Sequence, residues 1–126
     1  MAALSNTESA SLLNTSLRSG TVYLALFLTD PTAGGTGTEA SGGGYARKII
    51  TFSAPTLAGG TQTCSNSTAV DFGEFSANIG TIPYFGIYDA LSGGNLKWFG
   101  AFDRSKLIEA GDSVILPAGG LTVELS

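Results

Sequence analysis

At 126 residues the chain has the length of one domain, long enough to bury roughly two-thirds of its unfolded surface around a single core. Hydrophobic residues make up 43%, charged residues 13% and glycine 18 positions, which excludes a disordered tail and points to many strands joined by many turns. The net charge of −4 and six scattered basic residues argue against a nucleic-acid surface, and no apolar run is long enough to span a membrane. The first segment alone follows helix rules. Ser5-Asn6-Thr7-Glu8 fits a capping box, Leu4 is placed to staple across it, Leu13 and Leu17 share one face, and Gly20 follows Arg18 as a stop. The pattern predicts a helix over residues 5–18, and its apolar stripe needs a partner in this chain's own sheet or in a neighbouring subunit. Residues 1–20 are read as a helical arm and 21–126 as a β-domain.

From Thr21 to Thr29 both alternating faces are apolar, as a central strand covered on both sides requires. Asp30-Pro31-Thr32 ends it. Ala33 to Gly44 holds six glycines among small residues, and Gly34 to Gly44 is expected to be a mobile surface loop that orders only against a partner. Tyr45 to Phe52 resumes a strand, and after a break at Gly59-Gly60 the segment Ser67 to Phe72 alternates weakly. Thr81 to Asp89 and Asn95 to Asp103 flank Gly93-Gly94 with aromatic residues in both arms, the strongest hairpin signal in the chain. Pro83 belongs near a strand start or edge, and Gly86 and Gly100 permit bulges or close packing. Ser113 to Leu116 and Leu121 to Leu125 flank Pro117-Ala118-Gly119-Gly120 and read as a last pair. These signals predict an all-β fold, an antiparallel β-sandwich of about seven strands with a short N-terminal helix, ahead of a small closed barrel.

The chemistry of catalysis is hard to assemble from these residues. The chain contains no histidine, which removes imidazole bases and most zinc sites, and its one cysteine, Cys64, has no neighbouring partner and reads as an ordinary buried thiol. The loop from Gly37 to Gly44 lacks the Lys-Ser/Thr ending and following helix of a phosphate loop. Asp89 with Asp103, or Asp71 with Glu74, could be paired for glycan hydrolysis, but Asp30, Asp89 and Asp103 sit at strand ends, where Asp commonly accepts from local backbone. Trp98, Tyr84, Tyr88 and Tyr45 could form a sugar platform, and core or interface packing is the favoured reading. Asn14-Thr15-Ser16 and Asn66-Ser67-Thr68 match glycosylation acceptors by chance, because the start of the chain lacks a secretion signal and synthesis in a bacterial cytoplasm is expected. No catalytic residue, cofactor or metal is expected. The candidate interface residues are Leu13 and Leu17 on the helix, Tyr45 and Arg47 beside the glycine loop, and Tyr84 and Trp98 in the hairpin.

Five phrases stand in order along the chain: Tyr23-Leu24-Ala25-Leu26-Phe27 with Asp30-Pro31, Glu39-Ala40-Ser41-Gly42-Gly43-Gly44-Tyr45-Ala46-Arg47-Lys48, Asn66-Ser67-Thr68-Ala69-Val70-Asp71-Phe72, Gly86-Ile87-Tyr88-Asp89-Ala90-Leu91-Ser92-Gly93-Gly94-Asn95-Leu96, and Ala110-Gly111-Asp112. In these the chain resembles a family of short phage proteins called phage tail fibre proteins. The resemblance implies a bacteriophage virion structural protein on the outer surface of capsid or tail, with capsid shell or tail proteins as partners, and it supplies no catalytic residue. The chain has neither heptads nor a repeating rung from which to build a fibre shaft. A non-enzymatic capsid decoration (cement) protein is therefore the first expectation, with a tail-fibre or tail-attached host-recognition module, binding a host surface glycan, as the alternative. The apolar helix face and aromatic hairpin add the expectation of a homo-oligomer, a trimer above all.

Overall fold

The computed structural model describes residues 5–125, so the proposed staple by Leu4 lies outside the described residues. Ser5 caps the helix as its position requires, its Oγ accepting from the Glu8 amide at 3.1 Å, and α1 runs Asn6–Arg18. Leu13 and Leu17 turn inward and are fully buried, and α1 lies against the strands Thr61–Ser65 and Thr122–Leu125. The helix packs on this chain's own sheet and shares one core with the β-domain. Burying each of these leucines contributes about 2 kcal/mol.

Nine strands follow among the described residues: β1 Val22–Phe27, β2 Lys48–Ile50, β3 Thr56–Ala58, β4 Thr61–Ser65, β5 Val70–Glu74, β6 Gly80–Tyr88, β7 Leu96–Ile108, β8 Ser113–Leu116 and β9 Thr122–Leu125. They form three antiparallel sheets, ordered β2-β1-β6-β7, β3-β4-β9 and β5-β8. The fold is all-β with a short N-terminal helix, as the sequence indicates. β1 is central and covered on both faces: Val22, Leu24 and Leu26 enter the main core, while Ala25 and Phe27 join Tyr88 in a second cluster on the other face. β6 and β7 form the expected hairpin around Gly93 and Gly94. Gly86 and Gly100 serve close packing. A Cβ on Gly86 would meet Leu96 at 2.9 Å and Phe27 and Tyr88 at 3.1 Å, and one on Gly100 would meet the Phe85 ring at 3.1 Å.

Three expectations are corrected. The two strands beyond seven, β3 and β4, form a hairpin at Gly59-Gly60, which is a tight turn with both residues at positive φ rather than a break. The last two strands do not pair with each other. β8 joins β5 and β9 joins β4, because Asn66 catches the connection between them. Its side chain donates to Pro117 O and Thr68 O and accepts from the Leu121 amide, each at 2.9 Å, while its backbone bonds Gly119 and Leu121. Finally, the glycine-rich segment is tied down. Leu28 and Ala40 amides donate to Thr38 O and Leu26 O, which lays Glu39 beside Phe27, and Thr36 donates to Pro31 O. Gly37 lies so close to the Asp30-Pro31 backbone that a Cβ would sit 2.6 Å from it, and Gly43 packs on Ala77 and Ile79. The small residues there permit tight packing rather than looseness.

Candidate functional site

The segment carrying Glu39, the three glycines, Tyr45 and Arg47 folds back on itself, and its charged ends meet. Arg47 Nε donates to Glu39 Oε2 and Nη2 to Glu39 Oε1, both at 2.9 Å, a two-pronged pair that holds the guanidinium in its plane. Nη1 donates to Ala90 O and Gly93 O, and the guanidinium lies 3.8 Å over the Tyr88 ring. Tyr45 Oη donates to Glu39 Oε2 at 2.6 Å and accepts from the Leu26 amide, which stitches the loop to β1. Burial pushes the Glu39 carboxyl up, but the Arg47 and Tyr45 hydrogen bonds and the Arg47 charge outweigh it, so the group sits below its ordinary value. The bond to Glu39 raises the Arg47 guanidinium further, while burial and then the Glu39 bond raise the Tyr45 hydroxyl. With only 8% of its surface exposed, Arg47 clamps the Glu39 loop to the β6–β7 turn, and Tyr45 is half-buried beside it.

Most of the other singled-out groups are engaged internally, while Asp103 and Glu74 are exposed. Asp30 accepts from the Thr32 amide, Asp71 from Gly73, Asp89 from Asn95 and Asp112 from Glu109, each within its own turn. The Asn95 backbone and side-chain bonds hold the Asp89 carboxyl below its ordinary value. Cys64 is fully buried, which pushes its thiol up, and no metal-binding cluster of three or more such residues occurs among the described residues. Trp98 is half-buried against the main core, its Nε1 donating to Ser16 Oγ at 2.8 Å, while the neighbouring Lys97 donates to Ser16 O. Tyr84 packs half-buried on the Phe27–Tyr88 cluster. Of the six candidate interface residues, Leu13, Leu17 and Arg47 are buried in the chain and Tyr45, Tyr84 and Trp98 are half-buried. The four aromatics of the sugar-platform reading form no exposed flat surface, since Tyr88 is buried and the other three pack inward. Glu39 and Asn66 organise more of the structure than any of these. The flanking of three glycines by Glu39 and Arg47 was the signal for the first; nothing local marks the second.

The open surface lies elsewhere. β7 closes one edge of its sheet, and Phe99, Leu107 and, on β8, Ile115 are 43%, 53% and 58% exposed. Midway along β7 the register with β6 slips: Ile82 faces Lys106 and Tyr84 faces Ala101, leaving Pro83 opposite Phe102–Ser105. Between this stretch and β8 runs a groove of about 370 Å³ floored by Leu24, Leu26, Phe72 and Ile82, with Arg104 and Lys106 among its lining residues.

These features define a small all-β protein with four aspartates that serve its turns and an open strand edge beside an apolar groove. The chain belongs to the family described as Podophage GP4 fiber I protein gp80, whose model matches residues 3–124. It is therefore a phage structural protein of the virion, from a fibre family. No curated protein is similar enough to match.

Proposed function

We propose that this chain is a tail-fibre or tail-attached module that acts by binding other proteins of the particle, without catalysis. The fibre family matched over residues 3–124 carries the reading and favours it over capsid cement, which rested on the lack of a shaft. The turn roles of Asp30, Asp71, Asp89 and Asp112 support a non-enzymatic module, because these carboxylates hold backbone amides. A trimer loses part of its motive, since Leu13 and Leu17 are satisfied within the chain. Quantitative mass spectrometry of purified particles, with antibody labelling in the electron microscope, tests the assignment. A tail module is expected at few copies relative to the shell protein, with label at the tail. Abundance near that of the shell protein, with label over the capsid, would restore the cement reading.

A further inference from the structure

We infer that the groove between β7 and β8 accepts an extended segment of another virion protein, one that alternates apolar side chains with carboxylates and adds to the outer edge of β7. The inference deepens the structural reading above and rests on it. Three observations converge on this place.

First, β7 is the longest strand and has no neighbour on its outer side among the described residues. An unpaired edge presents backbone donors and acceptors that an incoming strand satisfies. Second, the slip opposite Pro83 gives the Phe102–Ser105 backbone a partner residue that lacks an N–H. This stretch is the least engaged part of the ladder. Third, the groove beside it is apolar at its floor and cationic at its rim. Above that buried floor the partly exposed Phe102, Val114 and Leu116 would receive alternate side chains of the incoming strand, and no Asp or Glu is among the lining residues. Arg104 and Lys106 are exposed, and neither forms a salt bridge among the described residues. The chain as a whole is acidic, at −4, yet two of its six basic residues stand here.

That local reversal of charge selects an acidic partner strand. It also disfavours a second copy of β7, which would bring Arg104 and Lys106 against the same two cations. Backbone pairing and apolar contact would supply most of the affinity, and the two cations the choice of partner.

The test titrates the full chain with two capped peptides, one alternating valine with glutamate and the other valine with lysine, and maps the contact by amide hydrogen exchange. The glutamate peptide is expected to bind at least about ten-fold more tightly, and to slow exchange in Phe102–Leu107. Reversing both charges, Arg104→Glu with Lys106→Glu, should invert the preference. Ser105→Pro removes an N–H from the stretch that holds no register pair with β6, so it should spare the β6 ladder, keep the melting temperature and lose the peptide. If the reversed variant fails to fold, this second variant still decides. Equal affinity for both peptides, no binding, or protection at another edge would overturn the inference. So would a dimer in sedimentation whose contact covers β7. Because the titration uses the chain alone, its failure would leave the tail assignment untouched, and that assignment falls instead on the location of the label.

Discussion

Arg47 is buried with every arm of its guanidinium engaged, so removing its partner leaves a stranded charge in a poorly hydrated place. Glu39→Gln is expected to cost about 3 kcal/mol in urea unfolding, and Arg47→Ala as much, because the second change also releases the β6–β7 turn. The pH dependence has a definite sign. An ordinary Glu titrates near about 4.3, and Glu39 lies below its usual value when folded. The pair therefore contributes its full stability above the ordinary Glu range and loses it as the pH falls through the depressed folded value. Between neutral pH and about pH 3 the unsubstituted protein should lose more melting temperature than Glu39→Gln. Parallel losses in the two proteins would remove the pair from the account. Gly86 is constrained by space rather than charge. Gly86→Ala should cost about 1–3 kcal/mol, because the added Cβ would press on Leu96, Phe27 and Tyr88 and the two rings belong to a packed cluster.

At the scale of elements, Trp98 ties the hairpin to the helix. Its ring packs on the core and its indole N–H reaches Ser16, so Trp98→Ala should lower the melting temperature of the isolated chain by removing about 3 kcal/mol. An unchanged melting temperature would place the side chain at an interface instead. α1, β1 and the β6–β7 hairpin were legible in the sequence because each is specified locally, by a cap, by a two-faced apolar run, or by aromatic arms around a Gly-Gly turn. The partners of β8 and β9 were not. Their alternation fits a hairpin, and only a side chain some fifty positions away, Asn66, diverts the chain from one sheet to another. The glycine-rich segment misled for a different reason. Small residues read as slack in one dimension, but Gly37 and Gly43 are where backbone must approach backbone. The groove was out of reach of pattern reading altogether, since β1, β5, β6, β7 and β8 all contribute to it.

At the scale of the molecule, pairings such as β4 with β9 and β1 with β6 join segments far apart in the chain, so little of the fold can form before most of it does. Folding is expected on the millisecond to second scale typical of such topologies, with a single cooperative transition. Truncation before Leu121 should abolish that transition, because β4 would lose its outer partner and α1 one of the two strands it rests on. A truncated chain that still melted cooperatively would mean that the larger sheet stands without the smaller one.

The place of Asn66 in that circuit bears on how the protein can be manufactured. The same residue heads an Asn-Ser-Thr triplet that eukaryotic secretory cells read as a signal to attach an oligosaccharide to the nascent chain. In the finished fold its amide is 2% exposed and spends both donor and acceptor on the passage from β8 to β9. A sugar added there before folding would occupy the nitrogen that holds Pro117, and no room remains around it. Yeast or mammalian secretion is therefore expected to deliver correctly folded material only from the fraction that escapes modification at Asn66, whereas bacterial production faces no such competition.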